Sequence, residues 1–189
     1  PFVNCRVSEN IPYKVWYNTW YRLSNSKKIF QGNFDSWKDQ CPTGPGFYLF
    51  SCPTIPFPEK YLKWGIGEGQ GGLFERLETH FSGEVKDSFG SILNTRIGRV
   101  FQKKDKTKKY SRRDIDLGNY VLKHFKKDLT EEEDRIWFIE KKCDVRVIEC
   151  NPLKLRFDKL EYIEKKIEDN FLKPKNYIRL ISGHDPLHF

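Results

Sequence analysis

"LKWGIGEGQGGLFERLETHF", residues 62–81, sets five glycines in eight residues between an apolar strand-like run and a helical pattern. From Gly72 onward, Leu73, Leu77 and Phe81 recur at helical spacing, with Phe74 widening the apolar stripe. Arg76 and His80 stand four residues apart on a neighbouring face, so one helix presents a guanidinium and an imidazole together. A glycine-rich turn feeding a helix N-terminus can cradle a nucleotide's phosphates. Context argues against that here. No Gly-Lys-Ser/Thr follows, and no β-α-β unit with an acidic residue about twenty positions on can be laid out. The glycines read instead as a flexible link that turns a strand into the helix carrying Arg76 and His80.

Working outward, "GFYLFSC" (46–52) and "KYLKWGI" (60–66) are short β-rich runs. They are joined by "PTIPFPE", whose three prolines exclude regular ladder pairing and predict a hairpin with a long, stiff loop. Simple alternation puts Tyr61 and Lys63 on one face of the second strand, with Tyr48 on its neighbour, so a hydroxyl and an amine can meet across the hairpin. Downstream, "DSFGSILNTRIGRVF" (87–101) has Phe89, Ile92, Leu93, Ile97 and Val100 or Phe101 in register for a helix capped by Asp87 or Ser88. "DIDLGNYVLKHF" predicts another. "TEEEDRIWFIEKKC" predicts a third, with Thr130 and Glu133 in capping-box spacing, acidic in its first turn and basic in its last. "DVRVIEC" (144–150) reads as a strand, and "DKLEYIEKKIEDNFL" carries Leu160, Ile163, Ile167 and Phe171 at the spacing of a final helix ending before Pro174.

These elements predict an α/β (α+β) fold: a small three-stranded, mostly antiparallel sheet flanked by helices. The 189 residues are read as an aromatic N-terminal extension, 1–43, packed on a core domain, 44–189. A composition of 38% hydrophobic, 15% aromatic and 32% charged residues is that of a globular chain with an aromatic-rich core. Cysteines at 5, 41, 52, 143 and 150 form no C-x-x-C pair, which points to reduced packing residues rather than a disulfide framework or a zinc site. No apolar run reaches the roughly 18 residues of a membrane span. The expectation is an intracellular protein, cytoplasmic and nucleoid-associated, or nuclear in a eukaryote, with no membrane partner. Net charge is +8, and the insertion 102–113, "QKKDKTKKYSRR", holds seven Lys or Arg against one Asp. That balance argues for a partner that is a polyanion such as nucleic acid, or an acidic membrane surface. A charge run is otherwise a solvated loop.

Tyr48, Lys63, Arg76, His80 and Glu164 bring together an acid/base-capable hydroxyl, an always-charged fork and a carboxylate, the parts that metal-assisted phosphodiester hydrolysis needs. In their order along the chain these residues resemble the GIY-YIG nuclease family. "GFY" (Gly46, Phe47, Tyr48) matches the first signature, and "KWG" (Lys63, Trp64, Gly65) aligns with the second, Lys63 standing where the second tyrosine usually does, as in some restriction-enzyme members. Arg76 and His80 in "RLETH" match the family's helix. Glu164 and Asn176 in "EKKIEDNFLKPKN" match its metal-binding glutamate and the asparagine twelve residues on. "SILNTRIG" and "EDRIWFIEKKCDVRVIE" extend the likeness over roughly 44–178, and "QGG" lengthens the loop before Arg76.

The resemblance implies water-mediated cleavage of DNA, double-stranded as the expected substrate, with one Mg2+ or Mn2+ per site. Tyr48 would deprotonate or orient the water with help from His80 or Lys63, Arg76 would stabilise charge on the phosphate, Glu164 would hold the cation, and Asn176 would brace the site. Glu161, one turn earlier on the same helix, is the alternative cation ligand. Beside such a core, Lys103, Lys104, Lys106, Lys108, Lys109, Arg112 and Arg113 become a phosphate-tracking arm. A site-specific restriction or phage-type enzyme is the favoured role, and a homo-oligomer is compatible with it. The rival reading is a catalytically inactive nucleic-acid-binding module that uses the basic loop and the aromatic surface.

Overall fold

The computed structural model describes residues 13–55, 61–68, 70–86, 88–98, 112–150 and 157–167. Asn176 and the insertion from Lys103 to Lys109 lie outside the described residues, and Arg112 and Arg113 are described as helical backbone only. The fold is a mixed α/β arrangement around one sheet with strand order β1-β4-β2-β3, every pair antiparallel: β1 (Ile29–Phe30), β2 (Gly46–Ser51), β3 (Tyr61–Gly67) and β4 (Asp144–Glu149). The sheet therefore has four strands where three are predicted. The extra strand is two residues long, pairing Ile29 with Arg146 and Phe30 with Val145, and so short a segment carries no periodicity to read.

β2 lies inside the sheet and all six of its residues are buried, which is why "GFYLFS" is apolar on both faces. Phe47 and Leu49 point to one layer and Tyr48 and Phe50 to the other. Complete burial of an aliphatic or aromatic side chain contributes ~1.5–3 kcal/mol. The first layer holds Trp20 and Leu23 from α1 (Tyr13–Ser24) and Leu160 and Ile163 from α6 (Phe157–Ile167), two helices that pack on each other. On the second are α2 (Gly72–Phe81), α3 (Ser88–Ser91) continuing as a π-helical stretch through Ile97, α4 (Arg112–Phe125) and α5 (Glu132–Lys142). Phe30, Phe34 and Trp37 of the N-terminal segment also enter this second layer, and Phe30 stacks on Trp37 at 4.5 Å.

Two local expectations are corrected. The β2–β3 ladder slips between Phe50, which faces Lys63, and Ser51, which faces Tyr61, leaving Leu62 as a bulge. Tyr61 and Lys63 thus stand on opposite faces: Tyr61 packs edge-on against Trp20 at 5.4 Å, whereas Leu62 joins the Phe50 layer. The capping box at Thr130 does not form. Asp128 takes both the Thr130 amide (2.9 Å) and its hydroxyl (2.7 Å), and α5 starts later with Glu131 at its cap. The acidic first turn and basic last turn of α5 are as predicted.

Candidate active site

Tyr48 stands in the middle of β2 with Gly65 as its cross-strand partner. A Cβ on Gly65 would collide with Tyr48 Oη and come within 3.2 Å of Glu164 Oε1. The missing side chain is what lets a phenol from β2 and a carboxylate from α6 converge over β3. Leu160 and Ile163 anchor α6 in the opposite layer, and Glu164, next along the helix, reaches round the sheet edge.

His80 comes from the last turn of α2 and is completely buried. Its Nε2 meets Tyr48 Oη at 2.6 Å. Edge-on contacts with Phe50 (5.6 Å) and Phe89 (6.0 Å) fix the imidazole plane. A buried imidazole against a hydroxyl is a poised acid/base pair, since each group can hold or release the shared proton.

Above Tyr48 opens a cleft of about 620 Å³, lined by Lys63, Arg76, Glu161 and Glu164 among others. The residues singled out from the sequence on four separate elements therefore come together, with His80 directly behind Tyr48. Lys63, Arg76 and Glu164 are half-buried, whereas Glu161 is exposed. Sequence reading missed Glu68, Glu75 and Thr79, which also line the cleft. Helical spacing sets only Thr79, three residues beyond Arg76, on the same face of α2. Tyr61, on the far face, plays no part, and burial pushes its hydroxyl above the ordinary tyrosine range despite the opposing pull of Arg146.

The glycine stretch proves to be a packed junction rather than a flexible link or a cradle. Gly72 has φ +50°, and a Cβ there would run into the carbonyls of Thr43 and Gly44. A Cβ on Gly67 would lie 2.6 Å from both Gly72 O and Leu73 Cα. The Leu73 amide, an early donor of α2, goes to Gly44 O at 3.0 Å rather than being held for an anion. Arg76 and His80 are thereby fixed relative to β3 by backbone-on-backbone contact.

Donor chemistry suits a hard divalent cation. Mg2+ takes one or two carboxylates and fills its remaining positions with water and phosphate oxygens, and the Glu164 carboxylate beside Tyr48, with Glu161 one turn away, matches that demand. No family model, curated protein or solved structure matches the chain.

Proposed function

We propose that this cleft is the active site of a DNA endonuclease of the GIY-YIG kind, which hydrolyses phosphodiester bonds by attack of water. The observation that carries the reading is the 2.6 Å contact between Tyr48 Oη and His80 Nε2 at the floor of a cleft that also gathers Lys63, Arg76 and Glu164. The architecture supports it: a β2–β3 hairpin leads directly into the arginine-bearing α2, and β4 flanks β2 on the other side.

In this reading Tyr48 accepts a proton from the attacking water as its own hydroxyl proton passes to His80 Nε2, so that no charge accumulates on the phenol. Lys63 and Arg76 offset the negative charge that builds on the phosphoryl oxygens. Glu164 would hold Mg2+ or Mn2+, which would supply Lewis-acid stabilisation of the charge that develops during hydrolysis. The family resemblance would give the basic insertion and Arg112 and Arg113 the role of tracking the duplex, and Asn176, outside the described residues, that of bracing the site.

The test is incubation of plasmid and long genomic DNA with the purified protein in Mg2+ or Mn2+, with a chelator control. Metal-dependent cleavage is expected, and Glu164→Ala should lose it while DNA binding persists. A well-folded protein that leaves both DNAs intact would overturn the proposal in favour of a non-catalytic binding module.

A further inference from the structure

Two cysteines meet across the sheet where β2 ends and β4 begins. The β2–β4 ladder closes with Ser51 opposite Asp144, so the next pair outward in the same antiparallel register is Cys52 and Cys143. Cys143 carries that register past the ladder because its backbone is already extended, with φ −101° and ψ 139°. Its amide turns back to Ile139 O at 3.3 Å, and Cys52 O accepts from the Ile55 amide at 3.0 Å. Directly opposed residues of an antiparallel pair have Cα atoms about 4.5 or 5.5 Å apart. Both spacings fall inside the range of about 4.4–6.8 Å that a disulfide spans.

The side chains share a face as well as a register. Both are buried in the layer that holds Tyr48, Phe50 and Val145, and both thiols are free. Cys52 Sγ lies 3.3 Å from Thr54 Oγ1. Burial raises the Cys52 thiol, and hydrogen bonds from the Thr54 hydroxyl and from the Thr54 and Ile55 amides pull it back down. Cys143 is pushed well above the ordinary range by burial first, and then by its neighbours Cys52 and Asp144. The pair is therefore unequal: Cys52 has donors for a thiolate, and Cys143 keeps its proton. The cover over Cys52 is thin. Pro53 and Thr54 are exposed, and the Tyr120 hydroxyl of α4 ties the turn down through Thr54 O.

We propose that Cys52 and Cys143 are a dithiol–disulfide pair, closed reversibly by a low-molecular-weight disulfide of the oxidised-glutathione class. The Cys52 thiolate attacks one sulfur of that disulfide, which leaves a mixed disulfide on Cys52 and releases one small thiolate. Cys143 then attacks the Cys52 sulfur as its proton passes to the second departing thiolate. Two protein thiols are oxidised and one small disulfide is reduced to two thiols. The new bond ties the end of β2 to the start of β4 and to the C-terminal cap of α5. It closes a loop of chain that contains β3 and α2 to α5, so oxidation stabilises the fold. The proposal does not depend on the nuclease reading.

The test exposes the native, reduced protein to oxidised glutathione, blocks the remaining thiols, digests without reductant and identifies linked peptides by mass spectrometry. A Cys52–Cys143 peptide is expected, and dithiothreitol should abolish it. The oxidised protein should unfold at higher urea than the reduced one. Cys143→Ala should stop at the mixed disulfide, with glutathione retained on Cys52, whereas Cys52→Ala should take up none at Cys143. A wild type that yields no linked peptide, links a different pair, or links these two only after urea is added overturns the proposal. So does a linked protein that unfolds at lower urea than the reduced one.

Discussion

Tyr48 and His80 share a contact of 2.6 Å at which neither residue is more than 1% exposed, so Tyr48 forms part of the cleft lining with a fully buried imidazole behind it. Tyr48→Phe keeps the ring packed on Phe50 and removes a single oxygen. Leaving a buried polar group without that partner costs ~1–3 kcal/mol, and on the proposed nuclease reading the loss of the acid/base group should slow cleavage at least ~100-fold. Urea unfolding and single-turnover cleavage measure the two effects separately. A folded variant that cuts at the wild-type rate would remove Tyr48 from the chemistry.

Gly65→Ala tests the site without touching any polar group. Its new methyl overlaps Tyr48 Oη and crowds Glu164, so the pair must separate. Cleavage should be lost and stability should fall by ~1–3 kcal/mol, the usual cost of overpacking. Gly44→Ala is the control: its methyl meets the carboxyl end of Glu149, an exposed side chain that can swing away, so its stability should change by less than ~1 kcal/mol. Equal effects of the two substitutions would contradict this account of Gly65.

The legible parts of the fold are those where one period runs over many residues. α2 follows from Leu73, Leu77 and Phe81, and β2 from an unbroken apolar run. Tyr48, Lys63, Arg76, His80 and Glu164 stand out in the sequence because their order and spacing resemble the GIY-YIG nucleases, and the fold brings them to one cleft. β1 is too short to have a period. Alternation puts Tyr61 on the Lys63 face because it assumes an unbroken ladder, and the bulge at Leu62 inverts it. Spacing reads Thr130 as a cap, but α5 begins at Glu132 with Glu131 as its cap residue, so Glu133 is not the third residue of a helix that Thr130 opens. Glu68, Glu75 and Thr79 look like any solvated face until the cleft encloses them.

Arg135 is almost completely buried and donates to Gly83 O (2.8 Å), Leu129 O (3.2 Å) and Thr130 O (2.7 Å). It ties α5 to the turn that follows α2, and so to His80 three residues earlier in the chain. Arg135→Ala should destabilise the fold by ~3 kcal/mol or more, since three carbonyls lose a charged donor and a cavity opens. Arg135→Lys should recover little of this, because one ammonium cannot match the fork that reaches two separate loops. Denaturant melts of both variants check the order, and full rescue by lysine would show that charge alone matters.

Burial also sets how the described cysteines respond to pH. Cys41 and Cys150 are both pushed up to about 11 by burial, and burial raises Cys143 well above the ordinary range. In the unfolded chain a thiol ionises near ~8.5, so between about pH 8.5 and pH 11 the folded state binds more protons. Stability conferred by these thiols is therefore complete below about pH 8.5 and declines as pH rises, by ~1.4 kcal/mol per unit for each affected thiol at most. Urea midpoints measured at neutral pH and near pH ~10 should fall less for a Cys41→Ala, Cys150→Ala double variant than for the wild type. At pH ~8 the thiolate fraction of either residue is on the order of 0.1%, so iodoacetamide should leave both unlabelled in the native protein and label them after unfolding. Rapid native labelling at Cys41 or Cys150 would show that those layers open far more often than their packing implies.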